Sequence, residues 1–361
     1  MGKPSQEPES PPSATGQDQF AKTGLGDMPN EDGKVEEMKS NAIAWISSPA
    51  KNKKLLKQFI KEGIDDTGWW LFEDDGQVSK WLVGKDESVS QPAIWLHGPH
   101  GFGKTVLASH ATHKLETLRD KEPPCIPTNS KTYYSYYDKH SEHNTYLDIL
   151  KGILHQMVEQ DENAVPVFEK MSQEGFAPLS DAHTAELLIE NIVQYPRRRY
   201  IIIDGLNKYE PSEGHRAIKF FANLATACAI ANPGLLRIML VSGSNNKLQQ
   251  QMDKTGVAAV LLKPGDNAED IKAFVESQLS NVQLPFWIKE LIQKKICKES
   301  ESSGSFLYAR LTTEAVSRDV NGDVPPGCDD QGLLVESQKW TRLWSRKDGH
   351  PQQCPVTFFT G

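Results

Sequence analysis

The sequence predicts an α/β fold, a five-stranded parallel sheet flanked by helices. Two observations carry this. Short, continuously apolar segments such as 93–96 and 200–203 alternate with stretches of helical periodicity, the pattern of strands buried on both faces. The first of these segments also runs straight into a glycine-rich loop followed by an amphipathic helix, which is the order strand, phosphate-binding turn, helix.

The elements follow in order. Residues 1–38 are rich in Pro, Ser, Gly, Asp and Glu and almost free of large apolar side chains; such a segment cannot offset its ordering entropy and is expected to be disordered. Residues 39–90 form a helical lead-in. There Ile43, Ile46, Leu55, Leu56, Phe59 and Ile60 indicate two short helices broken at Ser47-Ser48-Pro49. An aromatic cluster with Trp69 and Trp70 and a short helix with Val78, Trp81 and Leu82 follow. Within 91–265, strands are expected at 93–96, 131–137, 200–204, 237–242 and 257–262. Helices are expected at 105–118, 146–158, 182–195 and 217–231; the first carries Leu107, Ala111, Leu115 and Leu118 on one face. Residues 266–316 begin a C-terminal helical subdomain. Residues 317–361 lose periodicity and read as an irregular tail.

Composition narrows the function. With 38% hydrophobic residues the 361-residue chain can bury a sizeable core. A net charge of -8 argues against a general nucleic-acid surface, and Arg197-Arg198-Arg199 reads as a solvated lead-in to the strand that follows. Five cysteines without a CxxC pair fit a reducing compartment better than a disulfide framework. No apolar run is long enough to span a bilayer, so a soluble, cytoplasmic protein is expected.

The loop Gly98-Pro99-His100-Gly101-Phe102-Gly103-Lys104-Thr105 fits the pattern G-x-x-x-x-G-K-T. Glycines let backbone N–H groups turn towards phosphate oxygens, Lys104 would neutralise the β- and γ-phosphates, and the Thr105 hydroxyl would ligate Mg²⁺. Such a site needs a second acid at the end of an apolar strand, and Ile201-Ile202-Ile203-Asp204 supplies Asp204. The implied ligands are ATP or GTP with Mg²⁺. The segment Asn207-Lys208-Tyr209-Glu210 only superficially matches the guanine-selecting N-K-x-D, because it ends in Glu and follows the acid directly. The histidine pairs His97/His100, His110/His113 and His140/His143 have no Glu or Cys to complete a metal set and read as surface or packing residues. Trp69 and Trp70 read first as core packing, with a wall of a base pocket as the alternative.

Several segments together resemble one family. They are Trp69-Trp70-Leu71 ahead of Trp81-Leu82, Ile94-Trp95-Leu96-His97-Gly98 with the loop and Val106-Leu107-Ala108, and Tyr133-Tyr134-Ser135-Tyr136-Tyr137. To these add 201–206, Ala268-Glu269-Asp270-Ile271-Lys272-Ala273-Phe274-Val275, and Gly304-Ser305-Phe306-Leu307-Tyr308-Ala309-Arg310-Leu311. Over about residues 40–316 the chain resembles the NACHT-type P-loop NTPases common in fungi, the module also described as the nephrocystin-3-like N-terminal domain. The resemblance implies a nucleotide-controlled signalling switch with protein partners or self-association. It also implies the strand order 5-1-4-3-2, from which we expect the ends of the first and third strands to lie side by side. Three departures bear on activity. The family's D-A-L-D-E is Asp204-Gly205-Leu206-Asn207-Lys208, so the two later carboxylates are missing. Its T-S-R is Val241-Ser242-Gly243, without the arginine that would sense the γ-phosphate. Its usual ankyrin, WD or TPR-like repeats do not follow, as in a short or truncated member. The leading expectation is a nucleotide-binding switch with weak or absent hydrolysis, and no catalytic residue is assigned. An active NTPase and a decayed interaction module that binds no nucleotide are the alternatives.

Overall fold

The computed structural model describes residues 31–48, 51–64, 67–72, 76–83, 91–141, 144–168 and 177–322. The lead-in holds helices α1 (Glu31–Ile46), α2 (Asn52–Glu62) and α3 (Gln77–Val83), with a 3-10 turn at Trp69–Phe72. Then come β1 (Ala93–Gly98), α4 (Lys104–Asp120), β2 (Lys131–Tyr136), α5 (Tyr146–Gln160), α6 (Val165–Phe168) and α7 (Ala182–Val193). They are followed by β3 (Arg199–Asp204), α8 (Pro211–Ala231), β4 (Leu236–Gly243), α9 (Asn246–Met252) and β5 (Ala258–Leu261). Helices α10 (Ala268–Ser280), α11 (Phe286–Ser303) and α12 (Phe306–Gly322) complete the described chain.

The five strands are parallel, in the order β2-β3-β4-β1-β5. This is the expected order read from the opposite edge. The alternation of side chains along each strand divides the core into two layers. Ala93 and Trp95 of β1, Ile201 and Ile203 of β3, and Ile238 and Leu240 of β4 pack on one face with α5, α7 and α8. Ile94, Leu96, Tyr200, Ile202, Met239 and Val241 pack on the other with α2, α3, α4 and the Trp69–Phe72 turn. Helices α10–α12 have their own smaller core around Ile271, Val275, Ile296 and Ala309.

Local chemistry sets the helix starts. Thr145 accepts from the Asp148 N–H while the Asp148 carboxylate reaches back to the Thr145 N–H, a capping box for α5. Asp181 caps α7 and Asn245 caps α9 in the same sense.

Four expectations are corrected. The ends of β1 and β3 are not side by side, because β4 lies between them, pairing Gly98 with Gly243 on one edge and Asp204 with Val241 on the other. Helix α1 begins at Glu31, inside the segment expected to be disordered; its later turns are anchored by Ala42 and Ile46, fully buried in the main core, and residues 33–37 extend the helix from that anchor with their side chains exposed. The rest of that segment, 1–30, lies outside the described residues. At the other end α12 continues to Gly322, and 323–361 lie outside them. Finally, Arg199 is not solvated. It is fully buried, with Nη2 2.7 Å from the Asp161 carboxylate, which also holds Arg197 at 2.8 Å. A buried acid at the end of α5 thus draws the start of β3 inward. No helix of the described residues is long and apolar enough to cross a membrane.

Candidate functional site

The glycine-rich loop connects β1 to α4 at the C-terminal edge of the sheet. Gly101 and Gly103 have φ of 87° and 76°, a region that costs an L-residue about 1–2 kcal/mol, so the turn needs glycine at both. Gly103 is the residue before α4 and offers no side-chain cap. The first N–H groups of α4 therefore remain open to an anion, reinforced by the helix dipole. Phe102 is buried and anchors the loop against Gly304 at the turn between α11 and α12. Pro99 and His100 are exposed on the rim.

Lys104 folds back into the loop, where Nζ donates to the carbonyls of Gly98 at 2.9 Å and Pro99 at 2.5 Å. These carbonyls hold the ammonium at the mouth of the loop. Burial lowers its pKa to about 8; Asp204 acts in the opposite direction and Lys208 adds to the lowering. Across β4, the Thr105 hydroxyl donates to Asp204 Oδ2 at 2.8 Å. Asp204 is only 2% exposed. Burial raises its pKa above the ordinary carboxylate range, opposed by Lys208, by the Thr105 hydrogen bond and by Lys104.

The two residues expected to hold Mg²⁺ therefore touch, although they are 99 positions apart in sequence. A buried carboxylate beside a threonine hydroxyl suits a hard divalent ion that takes its remaining oxygens from phosphates and water. Among the described residues no cluster of three His, Cys, Asp or Glu could hold a metal, and a site of this kind does not require one.

The departures from the family pattern meet in space. The Asn207 carbonyl Oδ1 accepts from the Gly243 N–H, and a Cβ on Gly243 would lie 3.0 Å from Asn207 Nδ2. The asparagine thus closes over the place where the family carries arginine. Lys208 lies with Nζ 5.7 Å from the centre of the Tyr137 ring, near enough for its charge to act on both Asp204 and Lys104.

A cavity of about 230 Å³ opens on the other side of the loop, between Gly101–Gly103, the lead-in and the helical subdomain. Trp69 and Trp70 do not line it. They back it instead. Trp70 Nε1 donates to Asp270 Oδ2 at 2.7 Å, and Trp69 stacks on His110 with centroids 6.3 Å apart. His110, read from the sequence as a surface or packing residue, and Asn267, which sequence reasoning missed, line this cavity. Asn267 belongs to no spaced motif; only tertiary packing brings the two together.

Residues 66–242 match the family described as "Nephrocystin 3, N-terminal". A comparison with curated proteins gives no match. Distantly similar solved structures include AMPPCP-bound DnaA from Aquifex aeolicus, at 14% identity and a TM-score of 0.37, covering 78% of this chain and 69% of that one. A Walker-type ATPase of Pyrococcus abyssi shows 14% identity and a TM-score of 0.40, over 76% of both chains. The ADP form of ORC2 from Aeropyrum pernix shows 15% identity and a TM-score of 0.43, over 73% of this chain and 66% of that one. The loop and Asp204 both lie inside the matched span, so residues 66–242, which carry the candidate site, are similar to the nephrocystin 3, N-terminal family.

Proposed function

We propose that this protein binds a nucleoside triphosphate with Mg²⁺ at Gly98–Thr105 and Asp204, hydrolyses it very slowly, and acts as a nucleotide-controlled signalling switch in the cytoplasm through protein partners or self-association. The observation that carries the slow turnover is the Asn207–Gly243 contact. Hydrolysis needs a group that orients and deprotonates water, and positive charge on the γ-phosphate in the transition state. Asn207 is no base, its carbonyl oxygen is already engaged by Gly243 N–H, and position 243 has no side chain. Binding draws on a different set, the loop amides, Lys104, Thr105 and Asp204, and that set is intact.

A second reading, an active NTPase, rests on Lys208. Its charge reaches Asp204 and Lys104, so it could stand in for the missing arginine. Restoring the carboxylates separates the two readings. In Asn207→Asp/Lys208→Glu, binding should persist and phosphate release should rise by about 10²–10⁴-fold, the usual contribution of a general base. An active NTPase relying on Lys208 would lose turnover in that variant instead.

A further inference from the structure

An open groove of about 870 Å³ runs between α7 and α8, on the sheet face opposite α4. It shares no residue with the phosphate loop or with the cavity beside it. Helix α7 leads into the start of β3, and α8 returns from the end of β3 to the start of β4. Both therefore run against the strands and lie parallel to each other. Their ends meet at one edge of the sheet, where Arg198 Nε donates to the Gly234 carbonyl at 3.0 Å. Val193, Phe220, Leu224 and Cys228 give the groove an apolar floor.

The two rims carry opposite charge. Glu186 and Glu190 stand on the α7 rim, Arg216 and Lys219 on the α8 rim. Glu186 and Arg216 are at one height, because both meet Tyr146. The Glu186 carboxylate accepts from the Tyr146 hydroxyl at 2.7 Å, and the Arg216 guanidinium lies 4.8 Å from the centre of the same ring. Glu190 and Lys219 follow about one turn further along each helix. Towards the helix ends the surface turns apolar. Tyr195, just after α7, is 40% exposed, and Ile230, near the end of α8, is 81% exposed.

We propose that this face pairs with the same face of a second copy of the chain, about a twofold axis parallel to α7 and α8. The proposal names the surface for the self-association included in the reading above and uses no atom of the nucleotide site. That twofold sets α7 of each copy over α8 of the other at equal height. Glu186 then meets the partner's Arg216, Glu190 meets the partner's Lys219, and each contact occurs twice. A twofold across the helices would instead lay α7 on α7 and α8 on α8, acid on acid and base on base. The four helices close around the two grooves as a four-helix bundle, so the two apolar floors become one shared core. The exposed Tyr195 and Ile230 come to the same end of that bundle, where each copy's tyrosine covers the other's isoleucine.

The test is sedimentation equilibrium of the full chain without nucleotide. The wild type and Lys104→Ala should both be dimers. Glu186→Lys/Glu190→Lys and Arg216→Glu/Lys219→Glu should each raise the dissociation constant by about 10²-fold or more, because each sets like charges opposite one another. Mixed in equal amounts, the two reversed variants should pair with each other about as tightly as the wild type pairs with itself, since the mixture restores all four contacts. Glu190→Lys alone leaves the Tyr146 hydrogen bond in place and should still weaken the dimer, which decides the matter if the double variant does not fold. A monomeric wild type, a dimer that tolerates both reversals, or reversed variants that stay apart when mixed would each overturn the proposal. Loss of the dimer in Lys104→Ala would overturn it too, by moving the contact to the loop. Failure to bind nucleotide would leave it standing, so the two readings fail in different experiments.

Discussion

The two sides of strand β4 differ in the residues they present to the candidate site. On the β1 side, the glycines with positive φ, Lys104 and Thr105 all stand where phosphate binding would use them. Asp204, at the end of β3, still reaches Thr105 across the end of β4. Just beyond, Asn207 accepts from the Gly243 N–H and Lys208 lies over the Tyr137 ring. Binding and chemistry use separate atoms in a fold of this kind, so one can decay while the other is kept. On the function proposed above, the residues missing are those that would act on water, and the residues present are those that would act on the ground-state ligand.

The largest expected effect breaks the retained half. Lys104→Ala should weaken nucleotide binding by about 10²-fold or more, because two or more charge-assisted contacts disappear at once. The fold should persist, since the ammonium contacts only loop carbonyls. Calorimetry with a thermal melt reads both outcomes.

A contrasting variant is Asp161→Ala, just after α5 and paired with Arg199 at the start of β3. It strands the buried Arg199 guanidinium and should cost about 3–5 kcal/mol of stability, measured by denaturant unfolding. Nucleotide affinity of the protein that remains folded should be unchanged. The two variants together separate the site from its scaffold.

A smaller effect, about tenfold per pH unit, is expected from the titration of Lys104. Free Lys104 releases its proton at about pH 8, whereas phosphate would hold that proton on. Affinity should therefore be flat below about pH 8 and fall above it. Stability of the free protein should run the other way. Between about 8 and the model-compound value of 10.5, the unfolded chain holds a proton that the folded chain has released, so stability rises with pH. Titrations and melts from pH 7 to about 10 check the opposite slopes.

How much of this was legible in the sequence depends on the range of each interaction. The loop, its strand and Asp204 were legible because each is a local pattern: a glycine at a fixed offset, or an acid closing an apolar run. The strand order came with the family resemblance, but that Asp204 is separated from β1 by a whole strand did not follow from either local pattern. Arg199 looked solvated because its partner Asp161 lies 38 residues away. Likewise the start of α1 reads as polar, and its anchor in the main core, Ala42 and Ile46, lies further along the helix. The cavity was least legible. Gly68 and Asp270 are joined across 202 residues, and no spacing rule links His110 to Asn267.

Steady-state phosphate release from the purified protein with Mg²⁺-ATP, using Lys104→Ala as the blank, decides whether binding is kept without turnover. We predict saturable ATP binding with turnover far below about one per second, the low end of ordinary enzymes. Turnover near one per second would contradict it and show that Lys208 or another group compensates for the missing carboxylates and arginine.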